Sequence, residues 1–377
     1  MAMQTEWLVP LAQPRQKKRR CELCLGPANV RCAACLVTYY CDVDHQNADW
    51  VSVHAKICQL LIPLRAAPPF YTSEKERKLG EEQRRNREIF LADVTYETAQ
   101  TFLIDGQYED AIPAALHSLK FSISIYGSSA VELVPPYLIL AETSLGLAHL
   151  SQAEEYLAQA QWIVLKNTHC SYHVQSKLYR NLGLLHATKG NLEEALYHLA
   201  NDIYFACCAF GTTRHVSVSG GFFHMANIFS HKNKMDIVDS LYCEVVDLWY
   251  DHFSHFVEIQ YQKLITPAEV DLLSVEDGAE EDVLDEKQRA EAMQMLKSIL
   301  AFREASLRQQ PEKEAKLLHT LAMFHFLVHD LKKAEGFVMR CLQTAQSLPE
   351  RQPDESLYHL VKLLQSKEEQ APSRSAD

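Results

Sequence analysis

The residues with the clearest capacity for chemistry are cysteines and histidines crowded into one short stretch. Six of the 11 cysteines lie between residues 21 and 58. Two Cys-x2-Cys pairs come first, and two pairs of ligands four residues apart follow, a spacing that places both members on one face of a helical turn. Thiolate sulphur and imidazole nitrogen are ligands that Zn²⁺ prefers in proteins. The candidate ligands are Cys21, Cys24, Cys32, Cys35, Cys41, His45, His54 and Cys58.

Eight such ligands are enough for two zinc ions with four protein ligands each. A fully ligated ion has no open position for water or substrate, so the sequence predicts two structural zinc ions per chain and no catalytic metal. A finger of roughly 40 residues buries too little apolar surface to fold alone, and we expect zinc to supply the missing stability. We also expect Cys41→Ser to unfold the finger and to leave the helices of the remaining chain largely folded.

Two other interpretations of the cysteines are weaker. One is a set of reduced, buried cysteines with incidental spacing. The other is a redox Cys-x2-Cys motif, but no alternating pattern of strands and helices surrounds these pairs. The N-terminal residues lack the order of a signal peptide, and no segment of about 20 residues is apolar enough to span a bilayer. We therefore expect a cytosolic or nuclear protein, in which clustered cysteines bind metal rather than form disulfides.

The ligands and their aromatic neighbours resemble the MYND-type zinc finger over nearly all of residues 21–58. The residues that carry the later part of this resemblance are Tyr40, Cys41, His45, Gln46, Trp50, His54 and Cys58. The resemblance implies an interleaved arrangement, with one zinc ion held by Cys21, Cys24, Cys41 and His45 and the other by Cys32, Cys35, His54 and Cys58. Spacing alone leaves this pairing open. His45 stands where the family usually has Cys, and imidazole is an equally competent zinc ligand.

The rest of the chain has the composition and periodicity of an all-α protein. It has 12 glycines in 377 residues, about 3% against a usual value of ~7%, and from about residue 86 apolar residues recur every three or four positions. A small or apolar residue also repeats along the chain at spacings of 42, 42, 43, 54 and 42 residues. These anchors are Ala111, Ala153, Ala195, Val238, Ala292 and Ala334. A second small residue precedes five of them by 12 positions, at Ala99, Ala141, Gly183, Ala226 and Ala322.

The paired small residues resemble the tetratricopeptide repeat, a helical hairpin. This resemblance implies a solenoid of six repeats over residues 86–348, each helix about one turn longer than usual. The 54-residue interval contains an acidic insertion at 271–286, with eight acidic residues and no basic one. We interpret it as a solvated loop between the two helices of the fifth repeat, with an acidic docking segment for a basic partner as the alternative.

The remaining segments complete the predicted organisation. Residues 1–20 form a basic N-terminal arm, whose basic run is either a solvated arm or a nuclear localisation signal. Residues 59–85 form a linker and entry helix, with a capping box at Ser73 and Glu76 that opens the helix. Residues 349–365 form a capping helix, and residues 366–377 a disordered tail.

No pattern elsewhere in the sequence points to catalysis. The net charge of −12 does not suggest binding to nucleic acid or to anionic membranes. Some MYND fingers lie within SET-domain lysine methyltransferases, but this chain lacks both the space for that β-rich domain and its Asn-His-Ser/Cys motif. Histidines on helical segments, His117 among them, share no metal spacing and are expected to be packed or surface residues. We therefore expect a protein that is not an enzyme.

The order of a MYND-type finger followed by tetratricopeptide-like repeats resembles finger-plus-repeat proteins of motile cilia and flagella. This resemblance implies an adaptor of the axoneme, located in the cytoplasm and in the cilium or flagellum. Its implied partners are proteins, namely other tetratricopeptide proteins or inner-dynein components. The competing expectation is a nuclear corepressor-type adaptor whose finger binds proline-rich peptides.

Overall fold

The computed structural model describes residues 3–8, 19–66, 70–265, 284–306, 310–346 and 355–370. The chain divides into two compact units, Met1–Ala195 and Leu196–Asp377, which are described separately below. Helices dominate both, and the finger contributes a small sheet. The predicted fold class, an all-α body of helical hairpins preceded by a small zinc finger, is confirmed.

The finger opens the first unit with three short strands and a bent helical segment. Strands β1 (Thr5–Trp7), β2 (Val30–Cys32) and β3 (Tyr39–Tyr40) form an antiparallel sheet in that order. Helix α1 (Val43–Asp49) is followed by a π-helical turn (Trp50–His54) and by α2 (Ala55–Arg65). Helix α2 continues through Pro63 into the segment expected to be a linker. Residues 9–18 of the predicted basic arm lie outside the described residues.

The helices that follow in the first unit are long and closely spaced. They are α3 (Glu74–Ile104), α4 (Tyr108–Tyr126), α5 (Val134–Gly146), α6 (Leu150–Lys166) and α7 (Tyr172–Thr188), with a short 3₁₀ turn at Val131–Leu133. The capping box that Ser73 and Glu76 predict is present at the start of α3. Helix α8 (Leu192–Phe210) begins at the end of this unit, and the division between the units falls within it.

The second unit is helical throughout its described residues. A 3₁₀ turn (Val216–Val218) leads into α9 (Ser219–His231), which is followed by α10 (Met235–Ile265), α11 (Glu286–Ala305), α12 (Pro311–Leu327), α13 (Leu331–Gln346) and α14 (Glu355–Gln370). Residues 371–377 of the predicted tail lie outside the described residues. No helix within the described ranges is both long enough and apolar enough to cross a membrane.

A three-residue turn of one conformation precedes five of the six predicted anchors. The middle residue of each turn has a positive φ angle, and these residues are Gly106, Ala148, Gly190, Asn233 and His329. In each case the anchor follows five positions later, as the fourth residue of the next helix. Five anchors, all alanines, and the one valine are fully buried. The repeat found in the sequence is therefore also a repeat of backbone geometry.

The fifth anchor departs from this pattern. Ala292 is fully buried, but it is the seventh residue of α11, and α10 before it runs for 31 residues without a break. The sequence of α10 contains no Gly or Pro, and buried residues continue past its middle at Phe253 and Val257. Most of the acidic insertion predicted at 271–286 lies outside the described residues, and Glu286 begins α11.

Each unit has its own apolar core. In the second unit the core is formed by side chains from α9 to α14, including Trp249, Phe253 and Phe324. In the first unit one core joins the finger to the hairpins, because Ile57 and Leu61 of α2 pack in the same cluster as side chains of α3 and α4. The finger is thus not separated from the first hairpin.

Candidate metal centre

The first Cys/His cluster lies at the edge of the finger. Cys21 and Cys24 come from a turn before β2, and Cys41 and His45 come from the end of β3 and from α1. The Asp42 side chain caps α1 by accepting a hydrogen bond from the His45 backbone N–H at 2.8 Å. The Nδ1 atom of His45 lies 2.8 Å from Cys41 Sγ and 3.6 Å from Cys21 Sγ. Cys24 in this cluster is exposed.

The second cluster lies inside the finger and is fully buried. It contains Cys32 from β2, Cys35 from the turn that follows, His54 from the π-helical turn and Cys58 from α2. Cys32 Sγ lies 3.9 Å from Cys58 Sγ, and Cys35 Sγ lies 3.7 Å from His54 Nε2. The π-helical turn and α2 place His54 and Cys58 one helical turn apart, as their spacing predicts.

The donor sets and their spacing fit tetrahedral zinc. In each cluster the four ligand atoms all lie within 4.8 Å of one another. Zinc–sulphur bonds of about 2.3 Å in a tetrahedron place two sulphur atoms about 3.8 Å apart. The measured Cys24–Cys41 and Cys32–Cys58 separations of 3.6 and 3.9 Å agree with this value. The predicted cofactor, two structural zinc ions, is confirmed, and the eight predicted ligands fall into the interleaved sets that the resemblance implied.

The thiols of the second cluster differ in acidity because they contact one another at close range. In the second cluster a hydrogen bond from Cys32 lowers the pKa of Cys35 to about 3, with a further contribution from His54. Burial raises the pKa of Cys58 to about 11, and the neighbouring Cys35 thiolate adds to the effect. A divalent cation at the centre favours deprotonation of all the thiols, so zinc binding releases protons.

A buried carboxylate lies directly behind the second cluster. Asp49, the last residue of α1, is fully buried, and its Oδ2 accepts a hydrogen bond of 2.5 Å from the Tyr40 hydroxyl. Oδ2 also lies 3.6 Å from Nδ1 of His54, whose other nitrogen faces the cluster. The second oxygen, Oδ1, lies 2.8 Å from His117 Nε2. Burial alone would raise the pKa of Asp49, but the charge and hydrogen bond of His117 hold that pKa below its ordinary value.

Sequence reasoning missed Asp49 and His117. Asp49 stands next to Trp50 within the finger, five residues before His54, and this spacing does not place two side chains on one face of an α-helix. The π-helical turn Trp50–His54 brings the two side chains together. His117 lies 59 residues beyond Cys58 and gave no signal, because its position depends on how α4 packs against the finger.

The class of the site is therefore a binuclear, cross-braced zinc finger. In agreement with this geometry, residues 21–58 match the model of the MYND finger family. Among solved structures, the chain is similar to a protein from P. vanneervenii, described as the crystal structure of BtubC (BKLC). That match has 15% sequence identity, a TM-score of 0.30, and covers 72% of this chain and 96% of the other. At these values it carries no argument about fold or function.

Proposed function

We propose that this protein is a non-enzymatic adaptor that holds other proteins together. The observation that carries the proposal is the closure of both metal clusters, since each has four protein ligands and no position for a substrate. Zinc in such closed sites stabilises the fold of the finger, and the folded finger presents a surface to other proteins. MYND fingers are protein-interaction domains, so protein partners are the expected ligands of that surface.

The described finger offers apolar side chains to such a partner. Trp7, Leu25 and Leu36 are 65%, 57% and 46% exposed. Leu25 and Leu36 each follow the second cysteine of a Cys-x2-Cys pair and have positive φ angles of 59° and 61°. A positive φ angle is costly for a large side chain, and both leucines adopt it with their side chains exposed, which supports a role in binding.

The helical hairpins are proposed to be tetratricopeptide-type repeats. Support comes from the buried small anchors and from the three-residue turn that recurs five positions before them. Stacked hairpins of this type present extended surfaces for proteins. Together with the finger they give the adaptor two separate binding regions.

The proposed place of action is the axoneme of motile cilia and flagella, with other tetratricopeptide proteins or inner-dynein components as partners. Support comes from the order of finger and repeats alone. The test is proximity labelling and imaging of the full chain in ciliated cells, comparing Cys58→Ser with Cys170→Ser. Cys170 is a buried cysteine outside both clusters, so its substitution controls for the loss of a thiol.

The wild type and Cys170→Ser are expected to label axonemal proteins, and Cys58→Ser is expected to lose part of that set. Enrichment in the nucleus with labelling of transcriptional regulators would contradict the axonemal role and support the corepressor-type adaptor. Transfer of a methyl group from S-adenosylmethionine by the purified, zinc-loaded protein would overturn the non-enzymatic role.

A further inference from the structure

A line of buried polar groups continues from the second zinc cluster into α4. His117, on α4, is 1% exposed and stands between two carboxylates of the finger. Its Nε2 lies 2.8 Å from Asp49 Oδ1, and its Nδ1 lies 3.7 Å from Glu22 Oε1. Glu22 is located between Cys21 and Cys24 of the first cluster. One histidine from outside the finger therefore contacts the surroundings of both metal sites.

The Glu22 carboxylate is also held in place by Arg65 and Lys120. Arg65 of α2 donates to both of its oxygens, at 2.9 and 3.0 Å. Lys120, one turn after His117 on α4, donates to Oε1 at 3.1 Å and also to the Glu22 backbone carbonyl. These contacts fix the turn of the first Cys-x2-Cys pair against α4.

A third contact connects the π-helical turn to the backbone of α4. The buried Ser52 hydroxyl donates to the Asp110 carbonyl at 2.6 Å and accepts from the Ala114 N–H at 3.1 Å. These two backbone groups form one step of the helical ladder beside Pro113, which has no N–H to donate. Ser52 lies two residues before the ligand His54, so the position of that ligand and the course of α4 depend on each other.

The physical consequence follows from the burial of Asp49. A carboxylate removed from water is tolerated only when it is paired and hydrogen-bonded. Asp49 Oδ2 lies 3.6 Å from His54 Nδ1, which is an ion-pair distance and not a hydrogen bond, so Asp49 acts on the His54 ring through its charge. Loss of carboxylate partners behind a ligating histidine typically lowers metal affinity about 10- to 100-fold. Without His117, Asp49 would keep only Tyr40 and His54 as partners among the contacts described above.

We propose that His117 is a positioning residue of the zinc centre, which acts through Asp49 on His54. Zinc binding at the second cluster and the folding of α4 are then linked, and each stabilises the other to the same extent. The segment that matches the finger family holds all the zinc ligands in this account, and the first hairpin supplies a residue that supports one of them.

The test measures zinc affinity of the full-length protein by competition with a chromophoric chelator. The variants are His117→Ala, His117→Gln and, as a matched control, Ser118→Ala. Ser118 is the next residue of α4, equally buried, and donates to the Ala92 carbonyl of α3 at 3.2 Å, so its loss disturbs the hairpin without touching the finger.

We expect His117→Ala to lower the zinc affinity of the second cluster about 10- to 100-fold. The zinc affinity of the first cluster should stay nearly unchanged. His117→Gln keeps a donor for Asp49 and is expected to recover a large part of this loss. Ser118→Ala should bind both ions as the wild type does. Equal zinc affinities in His117→Ala and Ser118→Ala would overturn the proposal.

If the His117→Ala protein is too unstable for the competition assay, its melting temperature can be measured at several concentrations of free zinc instead. Free zinc stabilises a protein that binds it only when folded, so raising buffered zinc restores stability lost through weaker binding. The melting temperature of His117→Ala should therefore rise with free zinc over a range in which the wild type is already saturated. A melting temperature that stays low and independent of zinc would show a packing defect alone, against the proposal.

Discussion

The two units of this protein cover a terminal hairpin in different ways. In the first unit, hairpin α3–α4 packs against α2 and the π-helical turn of the finger, which zinc ligands hold in place. In the second unit, α14 packs on α10, α12 and α13 through Leu357, Leu360, Leu363 and Leu364. Hairpin repeats need such end pieces because the outer face of a terminal hairpin is otherwise exposed.

The difference shows what metal contributes to a helical repeat protein. Helix α14 buries four leucines on one face and contributes no ligand to the metal clusters of the described residues. The finger is a short segment in which four cysteines stand among the buried side chains, so its share of the core depends on two metal centres that hold it in shape. We therefore expect the first unit, and not the second, to require zinc.

The largest expected effect comes from breaking the buried cluster. Cys58→Ser should cost more than the about 4–5 kcal/mol at which single substitutions become exceptional, because a structural zinc site contributes about 10–16 kcal/mol to folding. Metal analysis should find the second ion lost, and amides of α2 and α4 should exchange faster. Cys24→Ser, at the exposed ligand of the first cluster, should affect chiefly the edge of the finger. Equal effects of both substitutions on α4 would remove the distinction between the clusters.

A smaller effect is expected where α2 enters the core. Leu61 is fully buried against the first hairpin, whereas its neighbour Leu60 is 43% exposed. Leu61→Ala should lower the free energy of unfolding by about 2–5 kcal/mol, and Leu60→Ala by less than about 0.5 kcal/mol. Urea unfolding of the zinc-loaded protein measures both. An unchanged free energy of unfolding in Leu61→Ala would mean that packing of α2 against the hairpin contributes little to stability.

The smallest expected effect is a pH dependence of the second unit. Burial, followed by the charges of His215 and His255, lowers the pKa of His252 in α10 to about 4. An ordinary histidine titrates near 6.5, so this group resists protonation in the folded state. Stability of the second unit should therefore fall as the pH is lowered from about 6.5 towards 4.

His252→Phe should remove this part of the pH dependence, because the ring lies among Trp249, Phe253 and Phe256. The pH dependence is measured as the protection of α10 amides from hydrogen exchange at several pH values, with zinc present. An unchanged pH dependence in the variant would assign the effect to another group.

Much of the fold and of the metal centre was accessible from the sequence. Ligand spacing and the MYND resemblance led to the eight ligands and their pairing, because zinc coordination constrains residue type and position directly. The anchors identified buried contacts of the hairpins, because only small side chains let two helices approach. The break in the 42-residue period coincides with the 31-residue helix α10 and with the later position of Ala292 in α11, and the solvated loop predicted there stays a prediction.

The sequence did not reveal how the finger is attached. The sequence predicts a finger that unfolds separately in Cys41→Ser, and this outcome stays a prediction. The structure places Val53, Ile57 and Leu61 in the core of the first hairpin. Contacts such as Asp49–His117 join residues 68 positions apart and carry no local pattern. The length of α10, 31 residues, was also not predicted. Its apolar spacing continues without interruption, so the sequence does not show where one repeat ends.

Amide hydrogen exchange of the full-length protein with and without zinc tests the central claim most directly. Removing zinc with a chelator under reducing conditions should accelerate exchange in α1, α2 and α4, and leave α12 and α13 of the second unit as protected as before. Fast exchange confined to the finger, with α4 unchanged, would contradict the account and show that finger and hairpin fold independently.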